Sequence, residues 1–394
     1  MPEQRVYLDH SATTPVREEV REIMQYYFRH QFGNPSSLHG YGREAREGVE
    51  QARRQVAEAL GVSPEEIYFT SGGTEADNLA VLGAARAGRG RGNHVITTRI
   101  EHHAVLDACQ QLEREGFEVT YLPVDGEGLV QLEELERAIR RETILISVMH
   151  ANNEIGTVQP LAEIARLSRR RGIILHTDAV QSLGKLPVEA DRWGVDLVSA
   201  SAHKLYGPKG VGCLYVRKGV SIEPLVYGGS QERKLRPGTE NVAGIAGFGR
   251  AVELALGEME SLGVYLNQLR DLLWEGIRQR VEGVRLNGSL RQRVPGHLSV
   301  CFPGVRNADV LAGLDERGIA ASAGSACTAE DAEPSHVLLA IGLPRELARG
   351  AVRLTLGREN TRRDVEYVLE CLPEVLRMAR EERPGHSGCS CCCG

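Results

Sequence analysis

Between Glu18 and Leu256 the chain alternates short apolar, β-rich runs with longer stretches of helical spacing, and this alternation is what most restricts its fold. The runs are IYFT at 67–70, HVITT at 94–98, ILISVMH at 144–150, IILHTD at 173–178 and LVSASA at 197–202. Between them, Leu132 to Arg141 and Leu161 to Gly172 carry apolar residues on one helical face and charges on the other. Strands joined by helices of that length return to the same end of a sheet, which predicts an α/β chain with a mainly parallel central sheet. Near Gly257 the pattern changes to a long helical stretch, followed by strand-like HLSVCF at 297–302, a helix from Ala308 to Gly318, and VRLTLG at 352–357. This reads as a second, smaller α+β domain. The expected division is 14–256 for the large domain, 1–13 with 257–380 for the small one, and 381–394 for a mobile, cysteine-rich tail.

Charge and cysteine usage narrow the class. Forty-seven basic against fifty-three acidic side chains leave a formal charge of −6, so no global field draws in phosphate backbones or anionic lipid. Neither nucleic acid nor a membrane is an expected partner. No stretch approaches the roughly 18 apolar residues of a membrane helix, and the N-terminus lacks a secretory signal pattern. Of nine cysteines, Cys389, Cys391, Cys392 and Cys393 crowd the end and the other five are scattered, which is no disulfide framework. A cytoplasmic, reducing location is therefore expected.

Four loops that follow apolar runs carry the candidate chemistry, as expected where strand ends of an open α/β sheet build a crevice. In YFTSGGTEADN, Gly73 and Thr74 open a predicted helix whose first amides suit a phosphate. His102 follows the second run, Asp178 ends the fourth with Gln181 three residues on, and Lys204 follows Ser201 and His203 in SASAHKLYGPKG. Taken singly, each has an ordinary explanation: Thr74 as a helix cap, His102 as a structural histidine, Lys204 as a surface lysine. As a set they supply an anion site, an aromatic face, a buried acid and an amine, which pyridoxal 5'-phosphate needs together.

In order and spacing, YLDHSATTP, FGNPSSLH, FTSGGTEADN, EHHAV, ANNEIGTVQP, HTDAVQ, SAHKLYGPKGVG, RPGTENVAGI and SAGSACTAEDAEPSH resemble the cysteine desulfurases of the NifS and IscS type, class V aminotransferase relatives, over roughly residues 5–375. The resemblance implies a fold-type I pyridoxal phosphate transferase that turns L-cysteine into L-alanine and keeps the sulfur as an enzyme persulfide. It implies that Lys204 binds the cofactor covalently, Asp178 pairs with its ring nitrogen, Gln181 bonds its ring oxygen, and His102 stacks on the ring and moves protons. Gly73, Thr74, Ser201 and His203 would hold the phosphate, joined by Thr239 of a neighbouring subunit in a homodimer. Asn153 and Arg353 would hold the substrate carboxylate.

The reaction also needs a thiol to accept the sulfur. Cys327 lies among small and acidic residues, whereas Cys109, Cys213, Cys301 and Cys371 lie in apolar runs and read as core residues. The loop of about 321–336 ends in Glu333-Pro334-Ser335-His336, which resembles the first group of the family, with a long loop. The resemblance implies that Cys327 passes sulfur to a U-type iron–sulfur scaffold or another acceptor, and can be an iron–sulfur ligand when bound there. Ala76, where serine is usual, and the Glu330-Asp331 pair depart from the commonest pattern. The terminal CSCCCG lies outside the family pattern, as a sulfur relay, a soft-metal site or a dispensable tail. Two other readings stay open: a selenocysteine lyase or related class V lyase or aminotransferase, and a noncatalytic metal-binding scaffold.

Overall fold

In the computed structural model the described residues are 4–324 and 334–381. A two-residue strand, β1 (Val6–Tyr7), and two helices, α1 (Glu18–Arg29) and α2 (Gly40–Leu60), precede the first long run, which forms β2 (Ile67–Thr70). The alternation then runs through α3 (Gly73–Gly88), β3 (His94–Thr98), α4 (His103–Arg114), β4 (Glu118–Leu122), α5 (Leu132–Ala138) and β5 (Thr143–Ser147). It continues with α6 (Leu161–Arg170), β6 (Ile174–Asp178), α7 (Ala190–Trp193), β7 (Leu197–Ser201) and β8 (Gly212–Val216).

These strands form one seven-stranded sheet in the order β2-β8-β7-β6-β5-β3-β4. The pairs from β7 through β6, β5 and β3 to β4 are parallel, and only β8 runs against its neighbours β7 and β2. The reversal follows from the short link after β7: a tight turn at Ala202–Lys204 and the glycines of GPKG leave no room for a crossover helix, so the next strand folds back. Strands β3, β5, β7 and β8 are buried along their whole length, as strands covered by helices on both faces must be. The runs at 144–150 and 197–202 overshoot their strands, which stop at Ser147 and Ser201.

The long helix α8 (Val242–Arg280) starts earlier than the sequence pattern suggests, capped by the Asn241 side chain on Gly244 N–H, and Gly257 lies inside it. Its first part, through Ile245, Phe248 and Val252, packs into the core against the seven-stranded sheet. Its second part, through Leu266, Leu269, Leu273 and Ile277, enters a different core. That core is built by β9 (Arg285–Leu286), β10 (His297–Cys301), α9 (Asn307–Asp315), β11 (Ile319–Ala320), α10 (His336–Ala340), α11 (Arg345–Ala348), β12 (Ala351–Thr355) and α12 (Arg362–Glu381), with α10 and α11 set in a smaller cluster beside it. Strands β12-β10-β9 form an antiparallel sheet, and β1 pairs in parallel with β11, which brings the N-terminal Val6 and Leu8 into this second core. Leu273, Leu298 and Val352 are fully buried there, each worth about 1.5–3 kcal/mol by leaving water. Among the described residues no helix is long and apolar enough to cross a membrane.

Candidate active site

Ten of the sequence-predicted residues line one cavity of about 340 Å³ at the C-terminal ends of the parallel strands: Gly73, Thr74, His102, Asn153, Asp178, Gln181, Ser201, His203, Lys204 and Arg353. Thr239 is not among its lining and is exposed in its own chain. Cys327, Glu330, Glu333 and the terminal cysteines lie outside the described residues. The gathering follows from topology, because β3, β6 and β7 run in parallel and so end on the same side.

At the start of α3, Gly72 is the N-cap rather than Thr74, so the Thr74 hydroxyl is not committed to capping. The first-turn amides have no partner within the helix. Gly73 allows a close approach, since a Cβ there would lie 2.7 Å from Val180 Cγ2. Across the cavity, Ser201 Oγ is buried with no partner among the described residues. His203 Nδ1 lies 3.2 Å from Thr13 Oγ1, and burial pushes its pKa down to about 4, so the ring is neutral.

Asp178 ends β6 in full burial, accepting from Val180 N–H at 2.8 Å. Burial raises its pKa, partly opposed by His102 and Lys204. His102 caps α4 by accepting from Ala104 N–H at 3.1 Å through Nδ1. Nε2 therefore carries the proton of the neutral ring, and burial lowers the pKa. Gln181 Nε2 donates to Ser11 O at 2.9 Å. Lys204 donates to Ser11 O at 2.6 Å and to Ala12 O at 2.7 Å. Burial first, and the Arg353 charge second, push its pKa down to about 8 against the pull of Asp178 and Asp9. Arg353 sits on β12, paired with Asp9 at 2.7 Å and bonded to the backbone carbonyl of Asn153 at 2.8 Å, with Nε buried and without a hydrogen-bond partner among the described residues. It reaches the cavity from the second core while every strand-end group comes from the first.

Sequence reasoning missed several groups here. Asp77, three residues after Thr74 on α3, lines the cavity with Oδ1 3.6 Å from His176 Nε2 but without a hydrogen bond among the described residues, and burial together with Asp178 raises its pKa well above the usual carboxylate range. The i, i+3 spacing from Thr74 was the available signal. Glu101 is buried, accepts from the Thr98 hydroxyl at 2.6 Å and from Met149 N–H at 3.0 Å, and is pushed up to about 8 by burial. The Ser11 and Ala12 carbonyls that hold Lys204 belong to the quoted HSATTP segment, but nothing in a run of small residues marks a carbonyl as an acceptor.

Three of the other cysteines are core residues. Burial pushes the Cys109 and Cys213 thiols up to about 12 and Cys301 to about 11, so all three are protonated at neutral pH. Cys371 differs from expectation in being only partly buried, at the margin of the second core. Among the described residues no cluster of histidine, cysteine and carboxylates could hold a metal ion.

Residues 6–368 match the class-V aminotransferase family. The chain is 50% identical over 381 residues to the cysteine desulfurase IscS of Dictyoglomus turgidum, covering 97% of each, and 51% identical over 379 residues to that of Methanosarcina thermophila, covering 96% of this chain and 94% of the relative. A solved NifS-like protein superposes with a TM-score of 0.90 at 43% identity, covering 95% of this chain and 100% of that one. The chain therefore belongs to the class-V aminotransferases, pyridoxal phosphate-dependent enzymes of fold-type I. Within them it falls with the NifS- and IscS-type cysteine desulfurases.

The cavity fits the cofactor on its own terms. It offers the free first-turn amides of α3 and the unpartnered Ser201 hydroxyl to a phosphate, the buried Asp178 to a ring nitrogen, and a Lys204 amine whose pKa is low enough to leave part of it neutral near pH 7.

Proposed function

We propose how the residues of this chain divide the work of cysteine desulfuration, the conversion of L-cysteine to L-alanine with the sulfur left on the enzyme. The observation that carries the reading is the meeting of Lys204, Asp178, His102 and Arg353 in one cavity from four separate elements. Lys204, Asp178, Gln181 and His102 would hold pyridoxal phosphate covalently, at its ring nitrogen, at its ring oxygen and on its ring face, with Gly73, Thr74, Ser201 and His203 at the phosphate. When bound, that group supplies an electron sink that acidifies the substrate Cα and loosens the Cβ–S bond. Arg353, with Asn153, grips the substrate carboxylate. Lys204 Nζ takes the Cα proton, and His102 Nε2 moves a proton at the leaving amine and sulfur. Cys327, three residues along the chain from the cavity-lining Gly324, attacks the substrate sulfur as thiolate: the Cβ–S bond breaks, an S–S bond forms, and alanine leaves while Cys327 carries the persulfide. The high pKa values of the buried Cys109, Cys213 and Cys301 support this choice of thiol.

The wider assignments follow. Residues 14–256 form the cofactor-binding domain, and 1–13 with 257–380 the domain that carries the cysteine segment. The enzyme is a cytoplasmic homodimer in which Thr239, exposed in its own chain, completes the partner's phosphate site. Its sulfur goes to an acceptor, of which a U-type iron–sulfur scaffold is the proposed one, with Cys327 able to ligate iron there. The names of the relatives favour a cysteine desulfurase over a selenocysteine lyase. Purified protein loaded with cofactor and given L-cysteine and a thiol reductant should release alanine and sulfide in equal amounts. Alanine without sulfide, or neither, overturns the reading.

A further inference from the structure

A second cavity, of about 50 Å³, lies behind the catalytic one and shares Ser11 and Lys204 with it as a common wall. It sits along α8 between residues 255 and 266, the stretch where that helix leaves the first core and enters the second. Cavities at such seams are where small ligands commonly bind. Tyr206, Met259, Leu262, Leu266 and Leu356 make most of the wall apolar.

The charges in that wall do not balance. Arg17 is neutralised by Glu258 at 2.9 Å and Glu19 at 3.0 Å. Lys204 is held by two carbonyls. Lys185 has neither: among the described residues none accepts a hydrogen bond from its ammonium, and the residue is only partly buried. His10, only 4% exposed, has both ring nitrogens without a partner among the described residues. Its Nε2 edge lies against Gly357, where a Cβ would come within 2.4 Å. A buried imidazole with neither nitrogen partnered is costly in an apolar wall, and the unpaired ammonium near it marks where an anion would be held.

We propose that this cavity is a binding site for a short-chain aliphatic carboxylate of about three or four carbons, its anionic head on Lys185 beside His10 and its tail against Tyr206, Met259, Leu262 and Leu266. The size follows from volume, since a water takes about 10–15 Å³ by this measure and the cavity admits about four such groups. The ligand would also sit against the Ser11–Ala12 segment. Ser11 N–H donates to Thr355 Oγ1 at 2.9 Å on the cavity side, while Ser11 O accepts from Lys204 on the other. Occupancy is thereby linked to the placement of the catalytic amine. Burial, followed by the charges of Lys204 and Arg353, lowers the Lys185 pKa to about 7, so the cationic form is favoured in mildly acidic solution. The other groups around the cavity are the Arg17–Glu258 pair, which is charge-neutral, the neutral His10 and His297, and Tyr206, whose phenol burial raises to beyond the working range.

The test uses the full-length, cofactor-loaded enzyme and 4,4,4-trifluorobutyrate followed by fluorine NMR, with butyrate as unlabelled competitor. Saturable binding should persist in the presence of saturating L-alanine, which occupies the catalytic cavity, and should weaken by at least about tenfold in Lys185→Met. Leu262→Trp, which fills the space without touching the charge, should weaken it as much. In the unaltered enzyme, affinity should fall by at least about fivefold from pH 6.5 to 8.5, as Lys185 loses its proton. No saturable binding, displacement by L-alanine, unchanged binding in Lys185→Met, or a flat pH profile each overturns the proposal. None of these readouts requires turnover, so their failure leaves the desulfurase reading intact.

Discussion

The seven-stranded sheet and the three-stranded sheet meet at the same cavity but contribute opposite kinds of group. From the first come Asp178, Ser201, Lys204 and His102, fixed at or just beyond the ends of buried strands, with protonation set by burial. From the second comes Arg353, already ion-paired to Asp9, and the Gly324 from which the chain leads to Cys327. Under the proposed function the difference is a division: groups that would hold one geometry sit on the covered sheet, while those that would grip and release a substrate sit on the smaller layer, whose own core is separate.

If that division is right, damage to the first sheet's groups should cost most. Lys204→Ala, assayed by alanine release, should lose at least about 10⁴-fold in kcat/KM, because it removes both the anchor and the base. Cys327→Ser should lower alanine formation by at least about 10²-fold while the cofactor's absorbance stays normal. An abnormal spectrum there would mean that the two regions are not separable. Arg353→Lys keeps the charge but loses the bidentate fork, so KM for L-cysteine should rise about 10–100-fold with a smaller change in kcat. A kcat effect larger than the KM effect would move Arg353 out of the gripping role.

The smallest effect concerns stability. Lys204 has a folded pKa of about 8, below the unfolded value of 10.5, so the unfolded state binds more protons between those limits. The penalty is full below pH 8 and disappears as pH rises past 10.5. Cofactor-free Lys204→Met should therefore be more stable than the unaltered chain at pH 7, by about 1–3 kcal/mol, and the gain should vanish on approaching pH 10.5, as read from urea unfolding. A gain independent of pH would mean that burial of the charge is not the cause.

Much of this site was legible in the sequence because strand ends write their chemistry locally. Asp178 terminates an apolar run, Lys204 follows another by two residues, and both appear in the cavity where the alternating pattern places them. Less visible were residues whose role depends on what faces them. Asp77 sits mid-motif on a helix, and only packing turns it toward Asp178 and His176. Lys185 reads as an ordinary loop lysine, and only the tertiary structure sets it in the wall of the second cavity with residues of α8. The early start of α8 was obscured because its first turns carry several glycines, which weaken a helical signal.

What the sequence determined by itself was the alternation of strands and helices, the mainly parallel sheet and most of the groups at its C-terminal edge, because periodicity and motif spacing are properties of neighbouring residues. What only the tertiary structure decided was the reversal of β8, the return of the N-terminal strand to β11, and the Ser11–Ala12 carbonyls that hold Lys204 from 193 and 192 positions away. Those contacts join distant parts of the chain, and burial, which sets the protonation of Lys204, Asp178 and Lys185, is a property of the whole packed core rather than of any local run.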